Sequence, residues 1–351
     1  SARGLQVGGP YLLTVKSADG LIETVDNVFL TLGDTQNLNV IVQQPDVERI
    51  LVTGAAISNS AYGSKSPVAN FNLSDLQTIP SINRDLSDVV AADPRIYIDA
   101  GFSRGIQCNG ANPRFNSLTV DGVKMNDNFG LNSNGYPTER MPFSFDALEQ
   151  VSVEFAPFDV KYGGFTACNI NAVTKSGTNK TFGSVFYETQ NDGMAGTPKD
   201  SGVEKPLKFD ETTYGATLGG AFVEDKLFYF ISYDYYEADT PLDWGPAGSG
   251  ASNETTATLA DYEAIQRIAR DIYNIDVGSW DASPVTDDEK LLLKLDWNLN
   301  DEHRAAFTYQ FTKGNRTSNM TSGNGELRLS SHWYNRVEEL NNYAFKLYSD
   351  W

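Results

Sequence analysis

The sequence predicts a mainly β protein, and three observations support this fold class. The chain combines 30 Gly with 17 Tyr, 19 Phe and 5 Trp, which suits strands and tight turns with an aromatic surface. Between residues 114 and 178, short β-branched runs alternate with Asp-Gly and Gly-Gly pairs, which mark turns between strands. Between residues 180 and 351, apolar and polar residues alternate with a period of two, as in strands that have one apolar face.

The composition excludes several classes of function. The 351 residues include 27 Lys and Arg against 46 Asp and Glu, a net charge of −19, so we expect no nucleic-acid partner. No window of about eighteen apolar residues occurs, and we predict no transmembrane helix. His303 and His332 are far apart and only two cysteines are present, so we predict no metal site and no cofactor. We recognise no nucleophile–base pair and predict that the chain is not an enzyme.

Residues 1–47 are predicted to form the end of a small β-sandwich. Three β-prone stretches, at 4–15, 21–30 and 37–42, are separated by Asp19-Gly20 and by Gly33-Asp34. A second predicted region, residues 48–178, begins with the β-prone stretch from Glu48 to Gly54 and continues as an α+β domain. Within it, Leu86, Val89 and Val90 fall on one helical face, and Pro94 predicts that this helix ends before it.

Residues 180–351 provide the alternating strands of the predicted third region, 179–351. Regular alternation occurs at 212–223, 226–237, 290–298 and 305–312, and less regular candidates lie at 182–188 and 334–348. A soluble β-sandwich alternates in the same way. The connections, however, run long, short, long, short, long, which is typical of transmembrane barrels with short turns at one end. We therefore predict about six strands of a large antiparallel transmembrane β-barrel, in contact with outer-membrane lipid.

Six strands do not close a barrel, and an open sheet edge in lipid is not viable. We expect this chain to be a fragment, because a closed transmembrane barrel needs further strands. The second long connection has Leu259, Tyr262, Ile265, Ile268 and Ile272 at helical spacing. This predicts an amphipathic helix packed on neighbouring loops, although a ligand or a second protein is an alternative partner.

Several motifs in residues 48–178 resemble the plug domain of TonB-dependent outer-membrane receptors, and most closely the Oar-like group. They include Ser103-Arg104-Gly105-Ile106, Phe129-Gly130-Leu131, the stretch from Ser144 to Val151 and the stretch from Ala156 to Phe165. The resemblance implies that residues 1–47 belong to a carboxypeptidase-regulatory-like domain. Such a domain acts as a spacer or binds carbohydrate, and nothing in these residues indicates a sugar site.

The same resemblance implies partner-binding residues at the start of the second region. Glu48, Arg49, Ile50, Leu51, Val52 and Thr53 resemble the TonB box, a strand that the inner-membrane TonB complex captures by adding it to a sheet edge. The alternative is an ordinary strand that opens the plug. Capture needs exposed backbone more than particular side chains, so the sequence leaves both possibilities open.

Plug arginines of this family pair with acidic residues of the inner barrel wall, and Arg104, Arg114 and Arg140 are the candidates here. The alternative is that some or all of them are solvated surface residues. Cys108 and Cys168 both fall in the plug, and an outer-membrane protein matures in an oxidising compartment, so we expect a disulfide, with two free thiols as the alternative. Asp121, Asn126, Asp127 and Asn128 are expected to build Asx turns in preference to a calcium site.

The resemblance implies a TonB-dependent receptor of the bacterial outer membrane that imports an unidentified ligand. Siderophores, peptides, glycans and cobalamin are all open as ligands. A role in adhesion or protein export, as for Oar-like surface proteins, is the alternative from another class, and carbohydrate binding by residues 1–47 is a third.

Overall fold

The structure is a computed structural model. It describes residues 8–16, 22–30, 67–99, 104–156, 163–197, 199–200, 203–204, 208–239, 244–251, 253–300, 302–318 and 325–349. The chain divides into two compact units. The first comprises Ser1–Pro137, Phe145–Lys175 and Tyr348–Trp351, and the second comprises Thr138–Ser144 and Ser176–Leu347. No helix in the described ranges is long and apolar enough to cross a membrane.

The first unit begins with a two-stranded antiparallel sheet of β1 (Gly8–Lys16) and β2 (Ile22–Leu30). These strands match two of the three predicted near the N-terminus. The predicted strand at 37–42 lies outside the described residues, as does the stretch from Glu48 to Thr53.

The main body of the first unit is a five-stranded sheet with two short helices and a hairpin. Its strand order is β3-β8-β9-β6-β7, and β6 and β9 are parallel while the other neighbours are antiparallel. The elements are β3 (Val68–Phe71), α1 (Leu73–Thr78), α2 (Leu86–Val90), β4 (Ile96–Asp99), β5 (Gly105–Cys108), β6 (Ser117–Val120), β7 (Val123–Lys124), β8 (Leu148–Glu154) and β9 (Asn169–Thr174). Strands β4 and β5 form a separate antiparallel pair.

Apolar side chains of these short elements form one core. The predicted helical face is buried, since Leu86, Val89 and Val90 are all at most 1% exposed. The helix is shorter than the pattern suggested because the Asp85 side chain caps it, accepting a hydrogen bond from the Ser87 amide at 2.7 Å. The turn from β6 to β7 places Asp121 and Gly122 at positive φ, 47° and 77°, which Gly adopts without strain.

The second unit is built on a six-stranded sheet with the order β10-β13-β14-β17-β18-β19. Its strands are β10 (Phe182–Asn191), β13 (Asp210–Val223), β14 (Leu227–Asp239), β17 (Val285–Asn298), β18 (His303–Ser318) and β19 (Tyr334–Ser349). The four successive pairs from β10 to β18 are antiparallel. All six predicted strands are present, and the short turns at 224–226 and 299–302 alternate with the long connections at 192–209, 240–284 and 319–333. The predicted mainly β fold class is confirmed.

The long connections carry the remaining elements. These are β11 (Lys199–Asp200), β12 (Val203–Glu204), β15 (Trp244–Ala247), β16 (Asn253–Thr258) and α3 (Leu259–Tyr273). Helix α3 confirms the helix predicted from the spacing of its apolar residues. Its packing differs from the expectation, because Tyr262 is buried while Ile265, Ile268 and Ile272 are 51%, 50% and 70% exposed. Tyr262 donates its hydroxyl to the Gly278 carbonyl at 3.3 Å, so only this side of the helix is covered.

Candidate functional site

The six-stranded sheet has one apolar and one polar face. On β17, Leu295 and Trp297 are 39% and 51% exposed. The residues that alternate with them, Lys294 and Asp296, are only 7% and 6% exposed. We call the side of the sheet that carries Lys294 and Asp296 the polar face. Its buried polar and charged residues are Thr217, Ser232, Asp288, Lys290, Lys294, Asp296, Gln310 and Thr312. A period-two strand places such residues together because successive side chains point to opposite faces. Apolar residues on the exposed side and polar residues on the buried side are what a lipid-facing barrel wall requires.

A seven-residue loop, Thr138–Ser144, lies on the polar face, and we call it the anchor segment. The Pro142 carbonyl accepts hydrogen bonds from the Gln310 amide and, at 2.8 Å, from the Thr312 hydroxyl. The Ser144 hydroxyl bonds the carboxylate of Asp234 on β14. Met141, Pro142, Phe143 and Ser144 are buried, so most of the segment is enclosed.

Glu139 of the anchor segment bridges two arginines of neighbouring strands. Its Oε1 pairs with Nη1 of Arg316 on β18, and its Oε2 pairs with Nη2 of Arg336 on β19. Arg336 also pairs through Nε with Glu338 at 3.1 Å. The Glu139 side chain is 18% exposed, against 46% and 33% for the two arginines, so it is more enclosed than either of them. One carboxylate thus ties the segment to two strands.

Arg140, the next residue, contacts a strand on the other side. Its guanidinium carbon lies 3.7 Å from the centroid of the Tyr236 ring on β14, a cation–π geometry. Glu139 and Arg140 together therefore reach β14, β18 and β19. Gln310 and Thr312 of β18 also donate hydrogen bonds to the carbonyl of Pro142, which lies between Arg140 and Ser144. This arrangement can hold the segment in one register, and it offers no group for covalent chemistry.

A small cavity of about 10 Å³ adjoins the anchor segment. It is lined by Glu139, Arg140, Asp288, Asn315, Arg316 and Arg336, among others. Pockets that enclose drug-sized ligands are typically about 300–1,000 Å³, so this cavity is too small for a large cargo. Among the described residues no group of three His, Cys, Asp or Glu has the geometry of a metal site.

The three arginines proposed from the sequence lie in different surroundings. Arg104 pairs with Asp88 of α2 and donates to the Ser87 hydroxyl at 3.2 Å, within the first unit. Arg114 donates from Nε to the Asn132 carbonyl at 3.0 Å, also within the first unit. Arg140 alone of the three belongs to the anchor segment, where it contacts a strand of the six-stranded sheet.

Cys108 and Cys168 are joined by a disulfide, with their Cα atoms 6.1 Å apart. Both cysteines are almost fully buried, at 1% and 0% exposed. The bond links the end of β5 to the residue before β9 across a sequence separation of 60. Glu48, Arg49, Ile50, Leu51, Val52 and Thr53 lie outside the described residues.

The polar residues weighed as calcium ligands are used within turns. Both carboxylate oxygens of Asp121 accept from Thr174, and Asp127 accepts from the amides of Phe129, Gly130 and Asn132. Nearby, burial lowers the pKa of Lys175 from its ordinary value, against the opposing pull of Asp146 and Glu149. Its Nζ donates to the Asp146 carbonyl at 2.8 Å, which makes Lys175 a structural residue of the first unit.

Sequence reasoning missed the main residues of the anchor segment and their partners, namely Glu139, Pro142, Arg316 and Arg336. The segment has no periodicity, and its partners on β18 and β19 follow 168 to 197 positions later in the chain. The one available signal was a Glu-Arg pair between two prolines, Pro137 and Pro142, which is not specific.

Comparisons with known proteins identify both parts of the chain. Residues 60–168 match the family described as the TonB-dependent Receptor Plug Domain, and residues 173–247 match the one described as an Outer membrane beta barrel domain. The TonB-dependent transporter Oar of Myxococcus xanthus is 28% identical over 240 residues, which covers 64% of this chain and 20% of that protein. A probable TonB-dependent siderophore receptor, PirA of Acinetobacter baumannii, is 25% identical over 253 residues, which covers 64% of this chain and 30% of that protein.

Solved structures agree on the fold. The outer membrane transporter YddB of Escherichia coli superposes with a TM-score of 0.56 at 14% identity, over 81% of this chain and 37% of that one. The siderophore receptor PirA of Acinetobacter baumannii superposes with a TM-score of 0.54 at 20% identity, over 81% of this chain and 38% of that one. The chain spans less than a third of the length of either curated relative. It is a bacterial outer-membrane protein, in which residues 60–168 match the plug domain of TonB-dependent receptors and residues 173–247 match an outer-membrane β-barrel domain.

Proposed function

We propose that this chain is part of a receptor that imports a ligand across the outer membrane with energy supplied by the TonB complex. The observation that carries the proposal is the anchor segment. It belongs to the matched plug domain, and it is bound to the polar face of strands whose opposite face is apolar. A plug held on the inner wall of a barrel blocks passage until energy is supplied.

Residues 48–53 are proposed to be the strand that TonB captures. Their position before β3, the first described strand of the plug, supports this role. A strand added to a sheet edge transmits force along its own chain. The apolar face of the six-stranded sheet is proposed to contact outer-membrane lipid, because its Leu and aromatic side chains need a nonpolar environment.

The remaining assignments follow from this proposal. Residues 1–47, with β1 and β2, are proposed to end a carboxypeptidase-regulatory-like domain that acts as a spacer, and carbohydrate binding there is the alternative. Residues 48–178 are proposed as the TonB-box strand with the plug, and residues 179–351 as barrel. Because the family consists of transporters and receptors, we propose that the chain catalyses no reaction.

Energised uptake is the test of this function. Cells that express the full-length receptor are supplied with a panel of labelled compounds comprising a ferric siderophore, a peptide, a glycan and cobalamin. We expect accumulation of one class, which collapses when the proton gradient is dissipated. Deletion of residues 48–53 is expected to abolish accumulation while binding to cells persists.

An adhesin or export factor predicts a different result. Cell attachment or secretion would then be lost in a deletion strain and restored by the receptor lacking residues 48–53, whether or not the proton gradient is present. Similarity to the TonB-dependent transporter Oar favours the transport reading, because that relative is described as a transporter.

A further inference from the structure

We infer that the Cys108–Cys168 disulfide limits how much of the plug can be pulled out by TonB, because it diverts force around residues 109–167. The inference rests on the proposed function, in which force enters the plug from residues 48–53. It deepens that function by naming which part of the plug leaves and which part stays.

The connectivity of the disulfide carries the inference. Tension applied before β3 passes along α1, α2, β4 and β5 until it reaches Cys108. At that point the disulfide offers a direct covalent route to Cys168. Once the noncovalent ties to residues 109–167 have broken, those residues are therefore not placed under tension. From Cys168 the force continues through β9 towards β10, the first strand of the wall.

Residues 109–167, which we call the shielded loop, include buried strands of the five-stranded sheet and the anchor segment. The shielded loop contains β6 and β8, which flank β9 in the five-stranded sheet, with Leu118, Val151 and Val153 at most 1% exposed. It also contains the anchor segment, with Glu139 bridging the two strands of the wall. A pull from the N-terminal side therefore does not load the bonds that seat the anchor segment on the wall.

The part of the plug before Cys108 has limited strand pairing with the rest of the plug, so a pull can detach it. Among the described strands, β3 lies at one edge of its sheet and pairs with β8 alone, through four residues. Strands β4 and β5 pair with each other and not with the five-stranded sheet. Noncovalent ties to the shielded loop include the ion pair of Arg84 with Asp146 and the hydrogen bond from Asn116 to the Ile106 carbonyl. Each of these breaks separately, whereas the disulfide does not break under such a pull.

Single-molecule pulling tests the inference without any cargo. The full-length receptor, folded in lipid nanodiscs with its disulfide intact, is pulled from a tag joined before Pro67. Reductant is then added to the same preparation. Because an extended residue spans about 3.3–3.6 Å, reduction is expected to lengthen the maximum extension before barrel unfolding by about 200 Å.

Two outcomes would overturn the inference. The oxidised receptor could already release the extra length, or reduction could add none. The measurement does not require transport, so its failure is distinguishable from failure of the proposed function, which the uptake experiment reports.

Cells offer a second readout. The Cys108→Ser/Cys168→Ser receptor is expected to admit a large antibiotic that the outer membrane excludes, but only while the proton gradient is present. Deleting residues 48–53 from the same variant is expected to restore exclusion. Antibiotic entry that ignores both the gradient and this deletion would contradict the inference, since it would indicate a plug that is misfolded and not one that is over-extended.

Discussion

At the scale of single residues, Glu139 shows how one carboxylate can tie a loop to two strands. Charge-assisted bonds are stronger than neutral ones, and the carboxylate is largely enclosed. Its two arginine partners are a third or more exposed, so solvent reduces what each pair contributes. The two pairs act through one side chain, and removing its charge weakens both at once.

Glu139→Gln is therefore expected to loosen the anchor segment while the barrel stays folded. We expect a loss of about 1 kcal/mol, seen as roughly fivefold faster hydrogen exchange of the amides in residues 138–144 of the full-length receptor. Glu326→Gln is the matched control, because Glu326 pairs with Arg328 at an exposed site away from this segment. Equal exchange in the two variants would show that the Glu139 pairs contribute nothing.

These residue-level contacts were the least predictable from the sequence. Arg140 was chosen because arginines suit carboxylates. Its guanidinium stacks on the ring of Tyr236 and also interacts electrostatically with Asp234 on β14. The Glu139 pairs have the opposite arrangement of charge to the one expected. Here the anchor segment provides the carboxylate and the strands of the sheet provide the arginines. Nothing local distinguishes Arg316 or Arg336 from other strand arginines, because their partner lies far away in sequence.

At the scale of elements, the hydrophobic period predicted existence and type well but boundaries less well. Strand β17 begins at Val285, before the alternation that starts at residue 290. Asp287, Asp288 and Glu289 are all acidic, so this part of the strand shows no apolar–polar alternation in the sequence. Backbone pairing with β18 nevertheless continues through these residues. Helix α3 was predictable because its apolar spacing and its N-terminal Thr258 are both local signals.

The N-terminus of α3 offers a prediction about capping. Thr258 and Asp261 form a capping box, in which each side chain bonds the other's backbone amide. Thr258→Ala is expected to cost about 1 kcal/mol and to speed trypsin cleavage after Arg267 and Arg270 roughly fivefold. Thr256→Ala, at an exposed position of the preceding strand, is the control and should cleave like the parent.

The same helix end should respond to acid. Hydrogen bonds from the Thr258 hydroxyl and amide lower the pKa of Asp261 below its ordinary value. A lowered folded pKa means that the stabilisation is present above about pH 4 and is lost as the pH falls through the folded pKa. We expect hydrogen exchange of the α3 amides, corrected for the intrinsic effect of pH on exchange, to accelerate in the parent below this pH. The Thr258→Ala variant should change less, because the hydroxyl bond is already absent.

At the scale of the whole molecule, the two faces of the six-stranded sheet differ in polarity, and the apolar face is the one proposed to contact lipid. Leu293 is in the middle of the apolar face, paired with Ile231 and Tyr309 on the neighbouring strands. Val223 lies at the end of β13, beside the short turn. A charge in the centre of the bilayer is costly, whereas one near the interface is tolerated.

Leu293→Arg is accordingly expected to destabilise the folded receptor in lipid by about 2–4 kcal/mol, and Val223→Arg by about 0–1 kcal/mol. Chemical unfolding of the full-length receptor in lipid vesicles measures both values. The two variants carry the same added charge, so their difference isolates depth in the membrane. Similar losses for both would argue that this face does not contact lipid.

The distance in sequence between the anchor segment and its partners has a consequence for biogenesis. Pro142 and Glu139 find Gln310 and Arg336 only after a further 168 and 197 residues have been made. Contacts of such long sequence separation form late, because closing a long loop is entropically unfavourable. The strands that receive the segment must already be aligned when it arrives. We therefore expect newly made chains to exist first as an unlatched intermediate, whose barrel portion is assembled before Thr138–Ser144 is seated.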